Sequence, residues 1–251
     1  MDAARHDYLL RFGDNALILS QRLGEWCGKG PALEEDMALT NTALDLLGQA
    51  RLWLSLAAEA SGNGADEDTL AYLRDDREFR NLLLVEQPNG TYADTLVRQF
   101  LFDAWSSLAL RRLLGSSDAA IAAIAEKAVK EVGYHLRRTS DLVVRLGDGT
   151  ERSRALMQAA VDRLWPYHHE LFIGDAVDAE MAARGIGFDP ASIRDEWLAY
   201  VRDVLGEATL QVPAAGGWMP KGGKQGLHSE HLSRLLAEMQ VLPRSHPGAR
   251  W

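Results

Sequence analysis

The chain has 251 residues, of which 47% are hydrophobic and 25% charged, and its formal net charge is −9. This length allows one substantial core, or one core with a smaller lobe, and the negative charge disfavours nucleic acid, which needs a basic face. No apolar run approaches the ~20 residues of a membrane span, and residues 1–7 lack the regions of a signal peptide. The single cysteine, Cys27, excludes an internal disulfide, so we expect a cytoplasmic protein in which this thiol is buried.

Two long helices are predicted in the first quarter of the chain. Apolar residues recur every three or four positions over residues 12–26, which is typical of one helical face, and Gly28 closes that helix. The second helix begins at Pro31 and runs to Gly62. Its first turn is acidic, and carboxylates favour the positive end of the helix dipole.

Two more long helices are predicted before residue 150, after a short helical segment at about 69–79. Thr91 followed by Asp94 resembles a capping box and predicts the start of the third long helix. Asp118 predicts the start of the fourth, which ends near Gly147.

The rest of the chain is also predicted to be helical. One helix should span about 152–184 with a kink at Pro166. Another should begin at Pro190, and a final amphipathic helix should end before Pro243. No alternating run of β-branched residues occurs, so we expect an all-α protein.

Each long helix carries a carboxylate among apolar neighbours. The positions predicted to face the interior are Asp14 and Glu25 on the first helix, Asn41, Asp45, Gly48 and Leu52 on the second, Asp103 on the third, and Glu131 and His135 on the fourth. A buried carboxylate is costly unless it is hydrogen-bonded, paired or bound to metal. The four helices therefore need either a metal centre or a polar network.

Counting ligands separates these two alternatives. Di-metal helical bundles use a Glu from each of two helices and a Glu-x-x-His pair from each of the other two. Here the residue three positions after Asp45 is Gly48, which has no side chain, and the residue three positions after Glu131 is Tyr134. Glu131 and His135 could contact one ion at their four-residue spacing, but one Glu and one His do not form a di-metal centre. We predict that this chain binds no metal and that these positions form a degenerate site.

Six segments carry a resemblance to a known family. They are residues 10–15, 19–28, 44–51, 81–90, 130–137 and 226–232. On these segments the chain resembles the PaaC-type structural subunits of the bacterial phenylacetyl-CoA epoxidase, a multicomponent ring-oxidising monooxygenase of phenylacetate catabolism. The resemblance extends over nearly the whole chain.

The resemblance implies a ferritin-like bundle that pairs with a related catalytic subunit, and that subunit holds the di-iron centre. In the family, the assembled enzyme forms a ring-1,2-epoxide, with electrons from NADPH through a reductase that carries FAD and an iron–sulfur centre, and a further small subunit belongs to the complex. No cofactor is implied for this chain. We expect one domain over residues 1–251, with a bundle at about 6–147 and C-terminal helices at about 152–242 packed on it.

A basic, glycine-rich loop is a candidate for contact with phosphate. Lys221 and Lys224 flank two glycines, but the P-loop pattern is not matched, and a flexible loop before the final helix is the favoured interpretation. His228 and His231 have a spacing seen in metal sites. Ser229 between them, however, is typical of a helix cap.

Three functions from different classes remain open. The favoured one is a non-catalytic partner of a di-iron oxygenase. The second is an active metalloenzyme with an atypical site built from Glu25, Asp45, Asp103, Glu131 and His135. The third is a regulatory module that binds a coenzyme A thioester through the basic glycine loop.

Overall fold

The structure, a computed structural model, describes residues 2–214 and 216–249. Within these residues eleven α-helices and four short 3-10 helices occur, and no strand is present. The α-helices are α1 (Ala3–Gly24), α2 (Leu33–Ser61), α3 (Glu67–Tyr72), α4 (Leu83–Glu86), α5 (Tyr92–Leu113), α6 (Ala119–Gly147), α7 (Glu151–Leu164), α8 (Ala176–Ala183), α9 (Arg194–Glu207), α10 (Glu230–Met239) and α11 (Val241–Ser245). No helix of the described chain combines the length and apolar character needed to cross a membrane.

Several predicted helix ends are confirmed by their caps. Thr91 caps α5 and exchanges hydrogen bonds with Asp94, and Asp118 accepts two backbone hydrogen bonds at the start of α6. Ser229 caps α10. Gly62 ends α2 with a φ of 63°, a left-handed conformation that glycine adopts without steric cost.

The continuous helix predicted over 152–184 is wrong. α7 ends at Leu164, a 3-10 helix occupies Trp165–Phe172, and α8 begins only at Ala176. Pro166 lies in the first turn of the 3-10 helix. Its ring has no N–H to donate and crowds the preceding turn, so the α-helix stops there instead of bending.

The chain divides into two compact units. Unit 1 comprises the residues up to Pro88 and those from Gly222 onward, and unit 2 comprises Asn89–Lys221. Unit 1 thus contains α1–α4, α10 and α11, and unit 2 contains α5–α9. The single domain over residues 1–251, with its bundle at 6–147 and packed helices at 152–242, stays a prediction.

In unit 1, α1 and α2 pack along each other in opposite directions. Nδ1 of His6 lies 2.7 Å from the carbonyl oxygen of Ala57, and further along α1 Gly13 faces Leu54. A Cβ at Gly13 would lie only 2.7 Å from Leu54 Cδ2, so glycine permits this close approach. The packing against α1 fixes which side of α2 is buried.

In unit 2, α5 is the central helix and is buried over nearly its whole length. It contacts α6, α7 and α9. The indole N–H of Trp105 donates to the carbonyl of Leu171 at 3.1 Å, and that of Trp197 donates to the carbonyl of Leu101 at 3.1 Å. Because α5 is buried on all sides, its polar side chains must find partners inside the core.

The segment 74–82, between α3 and α4, is held by polar side chains of α1. Asp14 is fully buried and accepts a hydrogen bond from Arg74 Nη1 at 3.0 Å, as well as one from Nη2 of the same guanidinium. Asn15 accepts from the backbone N–H of Leu82 at 2.8 Å. Asp14 and Asn15 therefore organise this irregular segment of unit 1.

A second buried cluster fixes the start of α10 against α4. Oε2 of Glu86 accepts from His228 Nδ1 at 2.8 Å and from Asn81 Nδ2 at 3.0 Å, while Oε1 accepts from the N–H of Ser229 at 2.6 Å. Nε2 of His228 lies 3.1 Å from the carbonyl oxygen of Phe79. Both ring nitrogens face oxygen acceptors, and an imidazole donates from both only when it is protonated. Glu86 and His228 therefore form a buried ion pair.

This ion pair makes the stability of unit 1 dependent on pH. Burial alone lowers the pKa of His228, but the hydrogen bond and negative charge of Glu86, with the Phe79 carbonyl and the charge of Asp14, outweigh burial and raise the pKa above its ordinary 6.5. We therefore expect the stabilisation by His228 to be complete below pH ~6.5 and to be lost as the pH rises through the raised, folded-state pKa.

Denaturant unfolding at several pH values from about 6 to 9 measures this effect. His228→Gln should flatten this part of the profile because glutamine stays neutral throughout. His246→Gln is the control, since His246 is exposed, and it should leave the profile unchanged. An identical pH slope in His228→Gln and the wild type would contradict the assignment.

Candidate functional site

The six positions of the predicted degenerate metal site fall in both units. Glu25, Asp45 and Gly48 belong to unit 1, and Asp103, Glu131 and His135 belong to unit 2. Among residues 2–214 and 216–249, no group of three or more His, Cys, Asp or Glu side chains is arranged so that it could hold a metal ion. The degenerate site stays a prediction, and each unit is described by itself.

Glu25 does not face an interior. It lies directly after the last residue of α1 and is exposed, with Oε1 2.8 Å from Nη1 of Arg22. The stripe that begins at Asp14 therefore stops before it reaches Glu25. Cys27, which we expected to be buried, is exposed in the same turn.

The prediction of which side of α2 faces the interior is also wrong. Asn41 and Leu52 are exposed, Asp45 and Gly48 are half-buried, and a Cβ at Gly48 would have no neighbour within 4 Å. Large apolar residues occur on both sides of α2, so periodicity alone could not identify the buried side. That side comprises Leu39, Leu46, Ala50, Trp53 and Leu54.

In unit 2, Asp103 lies in a fully buried polar cluster with Gln99, Thr139 and His135. Oδ1 of Asp103 accepts from Gln99 Nε2 at 2.7 Å, and Oδ2 accepts from the Thr139 hydroxyl at 3.1 Å. The same hydroxyl lies 3.0 Å from the carbonyl oxygen of His135, so one proton serves two acceptors. Side chains of its own unit thus satisfy the Asp103 carboxylate.

Burial raises the pKa of Asp103 from the ordinary 3.8 to about 6. The charge of His135, the hydrogen bonds from Gln99 and Thr139, and the charge of Arg138 all lower the pKa, but they do not offset burial. A weakly acidic pH therefore converts Asp103 to the neutral acid. In that form it can donate to the Thr139 oxygen, while the Thr139 hydroxyl donates to the His135 carbonyl.

Glu131 occupies a half-buried position one turn before His135 on α6. Its Oε1 lies 3.9 Å from Nζ of Lys127, an ion pair across one turn of the helix. Tyr134, at the position where the metal pattern requires a histidine, is exposed. Of Glu131, Tyr134 and His135, only His135 is buried, and it lies with Asp103 in the core of unit 2.

Close packing accounts for the glycines of the predicted phosphate loop. A Cβ at Gly223 would lie 2.2 Å from the carbonyl oxygen of Asn81, and a Cβ at Gly226 would lie 2.1 Å from that of Arg77. Both distances are far below van der Waals contact. The loop therefore needs glycine at these positions in order to pack against the segment 74–82, and this requirement is independent of any contact with phosphate.

The two lysines of that loop fall in different units. Lys221 is exposed and is the last residue of unit 2, whereas Lys224 is half-buried in the 3-10 helix Gly223–Gln225 of unit 1. Contact of either lysine with phosphate stays a prediction.

Comparison with known proteins supplies the family. The profile of the family described as "Phenylacetic acid catabolic protein" matches residues 1–251. The chain belongs to this family. The predicted ferritin-like, all-α fold class is thereby confirmed, since the described helices agree with the fold of the family.

Two relatives of this family member come from Escherichia coli (strain K12). The chain is 54% identical over 244 residues to the C-type subunit of 1,2-phenylacetyl-CoA epoxidase, and the match covers 97% of this chain and 98% of the relative. It is 26% identical over 167 residues to the A-type subunit of the same enzyme, where the match covers 65% of this chain and 53% of the relative. The chain is therefore similar to two different subunits of one enzyme, and much more similar to the C-type one.

The raised pKa of Asp103 predicts a loss of stability with rising pH. The folded state holds the proton more tightly than the unfolded chain, so the contribution of Asp103 is fully present below pH ~4 and is lost as the pH rises through ~6. Asp103→Asn keeps the neutral shape at every pH. Between pH ~4 and ~7 its free energy of unfolding should rise relative to that of the wild type by roughly 3 kcal/mol, at ~1.4 kcal/mol per pKa unit.

Urea unfolding of both proteins across this pH range measures the difference. Asp141→Asn is the matched control, because Asp141 is exposed on α6 and pairs with Arg145 at 3.0 Å. Parallel profiles for Asp103→Asn and the wild type would show that Asp103 does not titrate in this range.

Proposed function

We propose that this chain is the non-catalytic structural subunit of a multicomponent di-iron monooxygenase that epoxidises the ring of phenylacetyl-CoA. The observation that carries the proposal is the 54% identity, over nearly the full length of both proteins, to the C-type subunit of 1,2-phenylacetyl-CoA epoxidase. In this role the chain stabilises a related catalytic partner of the A type, which we call the A-type protein. We place the complex in the cytoplasm.

The donor set of this chain supports the non-catalytic role. A di-iron centre in a helical bundle needs four carboxylates and two histidines. Gly48 offers no donor atom, Glu25 is exposed, and Asp103 is already hydrogen-bonded to Gln99 and Thr139. These residues do not fit a di-iron centre, so no step of the oxygen chemistry is assigned to this chain.

The proposed cofactors belong to the other components. The di-iron centre would be held by the A-type protein, and NADPH, FAD and the iron–sulfur centre would act in the reductase. A further small subunit completes the proposed complex. What this chain contributes is a rigid, helical surface, supported by the buried ion pairs Asp14–Arg74 and Glu86–His228.

Metal analysis tests the non-catalytic role directly. We expect the purified chain, after dialysis, to contain much less than one iron per chain, and Asp103→Asn to leave its metal content unchanged. Iron at about two atoms per chain would instead support an active di-metal site and overturn the proposal.

Co-expression tests the structural role. The A-type protein of the same organism is expressed with and without this chain, and its soluble yield and its turnover of phenylacetyl-CoA with the reductase are measured. We expect both quantities to fall several-fold without this chain, because the catalytic partner loses a packed helical neighbour. Equal yield and equal turnover would remove the structural role.

A further inference from the structure

The side of α2 that faces away from α1 is unusually apolar for an exposed surface. Leu33, Met37, Leu44 and Leu47 are exposed there, with Leu33 at 72% and Leu44 at 60%. We call Leu33, Met37, Leu44, Leu47 and Gly48 the α2 outer face. Exposed apolar side chains that cluster on one face of a helix mark candidate sites of interaction.

The helix α6 of the same chain provides an internal comparison. Both helices have 29 residues, but exposed charged residues of α6 form ion pairs across one helical turn. These pairs are Lys130–Glu126 at 3.6 Å and Arg145–Asp141 at 3.0 Å. Such pairs are typical of a solvated helix surface. The α2 outer face has leucine and methionine where α6 has charged residues, so its exposure to water is less favourable.

The centre of the α2 outer face has the shape of a socket for a helix side chain. Leu44, Leu47, Gly48 and Arg51 occupy positions i, i+3, i+4 and i+7, the four corners of a hole that receives a side chain from a facing helix. Gly48 deepens this hole because glycine has no side chain. The space above it is open, since a Cβ built at this position would have no neighbour within 4 Å. A groove of about 430 Å³ between α2 and α3 adjoins it, lined also by Tyr72.

We propose that the α2 outer face docks a helix of the A-type protein, and that a large apolar side chain of this helix inserts over Gly48. This inference rests on the proposed function and deepens it by naming the surface. The partner is a relative of this chain, and family members share the helical fold, so it can supply a helix long enough to lie along α2. A 29-residue helix is ~43 Å long, enough for an interface that buries ~800 Å² per partner.

The chemistry of the occupant follows from the surface. A leucine and methionine face with a glycine hole selects leucine, isoleucine, methionine or aromatic side chains at three- and four-residue spacing on the partner helix. An acidic side chain on the partner helix, beside these apolar ones, would lie near Arg51. The Arg51 side chain is exposed, and its Nε lies 3.3 Å from Oε1 of Glu67. A second copy of this chain is the competing occupant, and the experiment distinguishes it.

Filling the hole tests the proposal. Gly48→Trp should leave the fold intact, because the position is open, but it should block the partner helix. Gly133→Trp is the matched control: Gly133 lies in the middle of α6, and a Cβ there also meets nothing within 4 Å. The probe is the A-type protein of the same organism, purified from the reduced soluble fraction that it gives when expressed alone, and the dissociation constant is measured by calorimetry.

We expect Gly48→Trp to weaken binding by roughly 30-fold or more, as for the loss of an interface hot spot, and Gly133→Trp to bind as the wild type does. A second pair of variants excludes an effect of tryptophan itself. Leu44→Glu should weaken binding similarly, whereas Tyr134→Glu, at an equally exposed position of α6, should not. Circular dichroism and melting temperature confirm that each variant is folded.

The outcomes separate the two levels of the proposal. If the wild-type chain does not bind the A-type protein, the proposed function fails. If the wild type binds and both Gly48→Trp and Leu44→Glu bind equally well, the function stands and the docking surface is wrong. If these variants change only self-association in analytical ultracentrifugation, the face belongs to a second copy, which also overturns the inference.

Discussion

Buried carboxylates in this chain have to be satisfied by the chain's own side chains, and much of the structure follows from how that is done. Asp14 is held by the guanidinium of Arg74, Glu86 by a protonated histidine, and Asp103 by an amide and a hydroxyl. The first two arrangements fix the irregular segments of unit 1, because the partners lie on those segments. The third places a titratable acid inside α5, the most buried helix of unit 2. In a metal-binding bundle the ions would neutralise such groups, so the nature of the carboxylate's partner separates a scaffold from an oxygen-activating site.

The sequence predicted correctly those helix ends that are set by interactions between neighbouring residues. Caps at Thr91 and Asp118 set the starts of α5 and α6 because their side chains satisfy backbone N–H groups within the same few residues. The failures have non-local causes. Pro166 is the exception, because it acts locally: it ends α7 and begins a 3-10 segment where the sequence predicted only a kink. The buried side of α2 is decided by α1, whose Gly13 allows contact at Leu54. Glu86 was missed altogether, since its partner His228 lies far away in the sequence and no spacing rule relates the two.

Gly48 has a different environment in the structure from the one that the sequence predicted. In the sequence it is a ligand position without a ligand, and that interpretation assumes that it faces a core. In the structure it lies at a half-buried position with open space above it, surrounded by Leu44, Leu47 and Arg51. The two apolar sides of α2 make periodicity ambiguous, and they also give the helix two surfaces to cover: α1 covers one, and the docked partner helix would cover the other. A residue that cannot bind metal is well suited to admit a neighbouring side chain.

The contact between Glu86 and His228 joins residues 142 positions apart in the sequence. This separation has a consequence for folding during synthesis on the ribosome. Unit 2 is continuous in sequence, so all of its residues have left the ribosome once Lys221 has emerged. Unit 1 is discontinuous, and its first helices emerge long before the segment that supplies His228 and the α10 cap. Until that segment arrives, the Glu86 carboxylate lacks its imidazolium partner and the segment 74–82 lacks the glycine loop packed against it. A ribosome that stops before Gly222 therefore releases a chain with all of unit 2 and an unfinished unit 1, and such a product is a substrate for chaperones and proteases.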